Sequence, residues 1–128
     1  MKKKDLLAKY SIEFKKKNFT NPVTGENRIS KFVYTSSNDY SILADFFNDL
    51  QKPEEVKMEV LEVIEEVECR SLEEGETGSQ SGVAVYINIE NTKLVGFNSI
   101  GSYLEPDLIV PTIDFKLIGF AWLYFLEN

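Results

Sequence analysis

Polar and apolar positions along the chain divide it into short segments of different period. Tyr10, Ile12 and Phe14 alternate with Ser11, Glu13 and Lys15, which predicts a strand. Thr20–Asn27 (TNPVTGEN) is rich in turn formers, and Ile29–Thr35 (ISKFVYT) is β-branched and aromatic. A hairpin with a second, antiparallel strand follows from that pair of features. Ser37 or Asn38 can cap a helix whose Ile42, Leu43, Phe46, Phe47 and Leu50 share one face, with Asp39 in the first turn. Pro53 suits the first turn of a second helix. There Val56, Val60, Ile64 and Val67 form an apolar stripe, and Glu55, Glu59, Glu62 and Glu66 form a row opposite it.

Ser71–Gly82 (SLEEGETGSQSG) holds three glycines among polar residues and is expected to be a mobile loop. Val83, Val85, Ile87 and Ile89 then alternate as a strand, and Asn91-Thr92 is expected to turn the chain into Lys93–Phe97. Asn98–Asp107 is irregular, Leu108–Val110 can add a short strand, and Pro111 opens a last helix. In that helix Ile113, Leu117, Phe120 and Tyr124 lie on one face and Phe115, Ile118, Trp122 and Phe125 on another. A helix apolar all round is either buried on several sides or partly covered by another chain. If buried, Trp122 and Tyr124 each carry a polar atom that needs a partner. The order β-β-α-α-β-β-(β)-α predicts an α+β fold, an antiparallel sheet of about four to five strands packed by three helices. With 128 residues and no repeat or linker, residues 1–128 form a single domain.

Charge changes the picture. The net charge is −7, but residues 1–37 hold nine Lys/Arg and three acids, while residues 38–128 hold five basic and eighteen acidic residues. Glu54–Gly82 alone carries ten glutamates against Lys57 and Arg70. Either the two parts pair within the fold, or the acid forms a face that steers a cationic partner toward it. Phosphates would be repelled by such a chain, and Lys2–Lys4 and Lys15–Lys17 are short clusters, so direct nucleic-acid binding is not expected. The single cysteine, Cys69, permits no intramolecular disulfide and suits a reducing cytoplasm. The basic start MKKKDLLAKY lacks the apolar run of a signal peptide, and Leu117–Leu126 is about half the length that spans a bilayer. A soluble, cytoplasmic protein that enters no membrane is expected.

The chain contains no histidine, so Ser–His, Cys–His and His-ligated metal chemistry are outside its reach as a lone subunit. Cys69 stands beside Glu68, which does not lower a thiol pKa, and reads as a buried or half-buried structural residue. Gly75, Gly78 and Gly82 fit neither phosphate-binding glycine pattern, and Glu73–Glu76 lacks the alternation of a calcium loop. Nothing singles out a catalytic carboxylate pair, so neither an enzyme nor a cofactor nor a metal site is expected. What remains is an acidic module that binds protein.

Several stretches recur in a characteristic order: Tyr40–Phe47 (YSILADFF), an acidic helix closing at Glu65–Glu68, Glu-Glu-Gly-Glu leading to Gly82, the strand–Asn91-Thr92–strand turn, and Val-Pro-Thr opening a helix that bears a Trp. Over roughly residues 32–126 the chain resembles the small immunity proteins of bacterial contact-dependent growth inhibition systems. The resemblance implies a cytoplasmic protein that neutralises the toxin domain of a cognate delivered effector, often an RNase or DNase, without catalysis or cofactor. It carries over no contact residues. Physical reasoning nominates Glu73, Glu74 and Glu76 on the first loop, Tyr103, Glu105 and Asp107 on the second, and Glu55, Glu59, Glu62 and Glu66 on the helix. The alternative is a self-associating structural or adaptor module, a homodimer through Phe115, Trp122 and Phe125 of the C-terminal helix.

Overall fold

The computed structural model describes residues 3–80, 82–96 and 101–128. It is an α+β fold with antiparallel strands in two sheets. Helix α1 (Lys3–Lys9) precedes strands β1 (Ile12–Thr20) and β2 (Asn27–Thr35). A 3-10 turn at Asn38–Tyr40 leads into α2 (Ser41–Asn48). Next come α3 (Pro53–Val56), a π-helical turn (Lys57–Leu61) and α4 (Glu62–Glu68), which follow one another as a single long helix. Strands β3 (Gly75–Gly78), β4 (Ala84–Ile87), β5 (Asn91–Val95) and β6 (Leu108–Pro111) precede the last helix, α5 (Thr112–Glu127).

The first hairpin is a two-stranded ribbon, in register from Ile12 opposite Thr35 to Thr20 opposite Asn27. It does not join the four-stranded sheet β3-β4-β5-β6. At its inner end Phe14 packs on Trp122 and Phe125, and Val33 is buried. Asn48 of α2 takes the place of a neighbouring strand there. Its Oδ1 accepts the Val33 N–H at 2.7 Å and its Nδ2 donates to the Val33 carbonyl at 2.8 Å. From Lys15 to the turn the β1 side chains are exposed, so the ribbon's outer half projects from the body.

Three sequence expectations change. Residues 75–78 of the presumed loop Ser71–Gly82 form a strand paired with β4, from Gly75 opposite Ile87 to Gly78 opposite Ala84. Gly75 is buried and its backbone lies so close to the long helix that a Cβ there would overlap Val63 Cγ1. A strand that buries a bare backbone shows no apolar alternation, which is why the pattern conceals it. Asn91 and Thr92 belong to β5 and not to a turn. The turn comes earlier, where Asn88 Oδ1 accepts the N–H groups of Glu90 and Asn91. Phe97 and Asn98, which end the expected strand and begin the expected irregular stretch, lie outside the described residues.

The third change is α1, which the pattern does not announce. Its sequence KKDLLAK offers only two large apolar residues, and the helix forms because of what it packs on. Leu6 and Tyr10 are buried, and Lys9 and Tyr10 both reach Asp114 in the first turn of α5, at 2.9 and 2.5 Å. Burial alone would raise the Asp114 pKa. The hydrogen bonds from Tyr10 and Lys9 and the Lys9 charge outweigh it and hold the carboxyl below its usual value. Burial first, and the Asp114 hydrogen bond second, push the Tyr10 phenol well above its usual value.

The core lies between the four-stranded sheet and the helices. Phe46, Phe47 and Phe115 form an aromatic triplet with centroids 5.2–5.6 Å apart. Trp122 is fully buried, and its Nε1–H donates to the Leu50 carbonyl at 2.8 Å. Beneath the sheet the Thr112 hydroxyl donates to the Asn88 carbonyl at 2.6 Å. Its only proton is thereby engaged, so Thr92 donates to Thr112 across 2.9 Å.

Two outcomes follow. Asn48→Ala leaves both backbone groups of Val33 without their partner and costs about 1–3 kcal/mol in denaturant unfolding; an unchanged midpoint would show that the ribbon does not depend on this bridge. Asp114→Asn acts through linkage. The folded pKa is lowered, so the carboxylate's contribution is present above the ordinary Asp value and is lost as pH falls through the folded one. The variant is therefore less stable than wild type at neutral pH; the difference in thermal melts begins to shrink only below about pH 4 and closes as pH falls past the lowered folded value.

Candidate partner-binding surface

Strand β3 holds the acidic segment beside the long helix. Thr77 donates to Glu59 Oε2 at 2.7 Å, and Gly75 rests on Val63 and Val67. Gly75 and Thr77 thus face the helix that carries Glu59, Glu62 and Glu66, and Glu76 between them faces the other side of the sheet. The register of the sheet sets Glu76, Tyr86, Lys93 and Ile109 side by side in one row across all four strands. The neighbouring row of Gly75, Ile87, Thr92 and Val110 faces inward and is buried.

Tyr103 folds over the outward row. Its ring meets Tyr86 edge-on, with centroids 5.1 Å apart at 89°, and Lys93 Nζ lies 4.3 Å from the Tyr103 ring centre. Its hydroxyl donates to Glu74 Oε2 at 2.8 Å. The two segments that the sequence treats as separate loops are therefore latched to each other. The Glu74 hydrogen bond, with a little burial and the carboxylate charge, raises the Tyr103 pKa.

The ten nominated residues divide by what they already do. Glu55 accepts the Lys52 N–H at 3.1 Å and caps α3. Glu59 and Glu74 hold Thr77 and Tyr103. Asp107 accepts the Gly96 N–H at 2.7 Å, and its own N–H donates to the Leu94 carbonyl at 3.0 Å, so it ties the second loop to β5. Glu62, Glu66, Glu73, Glu76 and Glu105 are exposed, and their carboxylates make no hydrogen bond or ion pair among the described residues. Ion pairs there join Lys9 to Asp114, Lys15 to Glu13 and Lys116 to Glu68. The basic N-terminal third therefore does not cancel the acid of the long helix and β3.

Tyr86 and Lys93 escaped sequence reasoning. The signal was available: Tyr86 is the outward residue between Val85 and Ile87, and Lys93 follows the buried Thr92. Cys69 is exposed, contrary to the buried or half-buried thiol expected. It caps α4 just before Arg70, whose positive φ of 61° ends the helix. Among the described residues no three Cys, Asp or Glu side chains stand close enough to share a metal ion. No helix of the described residues is long and apolar enough to cross a membrane. Comparison with protein-family models, with curated proteins and with solved structures gives no match.

Tyr103→Phe should release the latch. Amide exchange then quickens around Glu73–Glu74 and Ser102–Glu105, while the amides of β4 and β5 keep their protection. In an ultraviolet titration the variant loses one tyrosine that ionises above the ordinary range near pH 10. Loss of an ordinary tyrosine, or unchanged exchange, would mean that the two segments are not coupled through this hydroxyl.

Proposed function

We propose that the protein is an immunity-type inhibitor that acts in the cytoplasm and binds the cationic cleft of a cognate toxin domain, an RNase or DNase. One observation supports the reading: five exposed carboxylates make no hydrogen bond or ion pair among the described residues, on the long helix, on β3 and the segment before it, and on the second loop. Glu62 and Glu66 come from the long helix, Glu73 and Glu76 from the strand region, and Glu105 from the loop that Tyr103 fastens to Glu74. Carboxylates at the edge of a rigid sheet stand in for the phosphates a nuclease seeks, and their summed field accelerates encounter. Tyr103 and Tyr86 supply the aromatic anchors that such interfaces concentrate their energy in. The protein performs no chemistry of its own in this reading; it acts by occupying the partner.

The test is co-expression with, and titration against, candidate basic nuclease toxin domains. Replacing Glu62, Glu66, Glu73, Glu76 and Glu105 together by Gln is expected to slow association by about tenfold or more and to flatten its salt dependence. Tyr103→Ala should instead speed dissociation. Full protection by the five-fold variant, with association as fast as wild type, would place the contact elsewhere.

A further inference from the structure

Helix α5 is apolar on every side, and the fold covers only part of it. Phe115, Ile118 and Trp122 enter the core, Gly119 abuts Val60 and Leu61 of the long helix, and Asp114 meets α1. On the outer side Ile113, Leu117, Phe120 and Tyr124 remain 57, 37, 46 and 62% exposed. Steps of four, three and four residues keep these side chains in one band along the helix. The band answers the choice posed by a helix without a polar face: the chain buries one side and leaves the other to a partner.

We propose that the partner is a second copy of the chain, with α5 packed antiparallel on α5 across a two-fold axis. The spacing reads the same in both directions. Laid antiparallel, Ile113 falls opposite Tyr124 of the second copy and Leu117 opposite its Phe120, and the symmetry repeats both pairs. Every layer then joins one aliphatic and one aromatic side chain, so the layers have similar volume. A parallel pair would stack Ile on Ile and Phe on Phe, with thin layers at one end and crowded ones at the other. Steps of four, three and four average about 3.67 residues, close to the 3.6 of a straight α-helix, so the four side chains stay on one face along its whole length.

Charge favours the same occupant. Along one flank of the band Lys116 pairs with Glu68 at 2.9 Å, and along the other Lys9 pairs with Asp114 at 2.9 Å. These two border cations are already paired within the chain. A cationic partner drawn to the β3 flank therefore gains little along most of this face, whereas two apolar bands lose only water. A single helix pair is at the small end of stable interfaces, so the dimer is concentration-dependent, with a dissociation constant in about the micromolar range.

Sedimentation equilibrium of the full chain from ~1 to ~100 µM tests this. The expected result is a shift from the 14.7 kDa monomer to twice that mass, persisting in about 1 M salt, where charge contacts are screened. Leu117→Glu with Phe120→Glu should hold the protein monomeric over that range with an unaltered circular dichroism spectrum, since both positions are on the surface of the monomer. In a Cys69→Ser background, mixing I113C with Y124C protein should give an intermolecular disulfide, and I113C alone should not. A monomeric wild type, a dimer that survives L117E/F120E, or cross-linking of I113C to itself would each overturn the proposal.

Discussion

Helix α5 is the element on which the rest of the molecule leans. Its Trp122 fills the centre and hydrogen-bonds the carbonyl of Leu50, where α2 has just ended. Its Gly119 brings it so close to the π-helical turn that a Cβ would stand 3.1 Å from Val60 Cγ1. Its first turn holds α1 through Asp114, and its last turn holds the ribbon. Lys31 donates to the carbonyls of Phe125 and Leu126 at 2.9 and 3.0 Å, and Lys16 reaches the Asn128 carbonyl at 3.4 Å. These ammonium groups sit where a helix end leaves carbonyls unsatisfied and its dipole is negative.

That arrangement explains the charge asymmetry of the chain. Several N-terminal lysines are engaged by α5: Lys9 by a buried carboxylate, Lys16 and Lys31 by helix carbonyls and the Phe125 ring. Lys15 and Lys17 lie over Tyr34 and Phe19 of their own ribbon. The basic segment is thus used to fasten α1 and the hairpin, and the acid of the long helix and β3 is left to act outward.

The elements with side-chain periodicity were legible: α2, the long helix, β4 and α5 bury the residues their spacing selects, from Leu43 and Phe46 to Ile118 and Trp122. The elements that escaped rely on contacts the spacing does not contain. Strand β3 buries the backbone of Gly75, and α1 depends on a partner more than a hundred residues away. The hairpin was visible, but its separation from the sheet was not, because that depends on one side chain, Asn48, satisfying Val33. The two faces of α5 were also legible as faces. Which of them is inside was not: Phe115 and Trp122, nominated as an association surface, are buried, and Ile113, Leu117, Phe120 and Tyr124 are the exposed set. Both faces are apolar, so hydropathy cannot rank them; Gly119 beside Phe115 and Ile118 marks the inner side, because a Cβ there would crowd Val60 of the long helix.

The nominated acids show the same limit at the level of the site. Glu55, Glu59, Glu74 and Asp107 are as acidic as Glu62, Glu66, Glu73, Glu76 and Glu105, yet the first four are bound to groups of their own chain. Desolvating a carboxylate that already holds an N–H or hydroxyl costs that bond as well as its water. In the proposed reading a partner would meet two kinds of acid: anchored ones that fix the shape of the flank, and free ones able to exchange water for a cation. The sequence cannot tell them apart, because the difference lies in neighbours such as Thr77 and Tyr103 that only folding brings within reach. The shape of the flank is set by the anchored group, and the field it projects is carried by the free group. If the flank binds as proposed, its specificity could change through exposed residues alone while Glu59, Glu74 and Asp107 keep the scaffold unchanged.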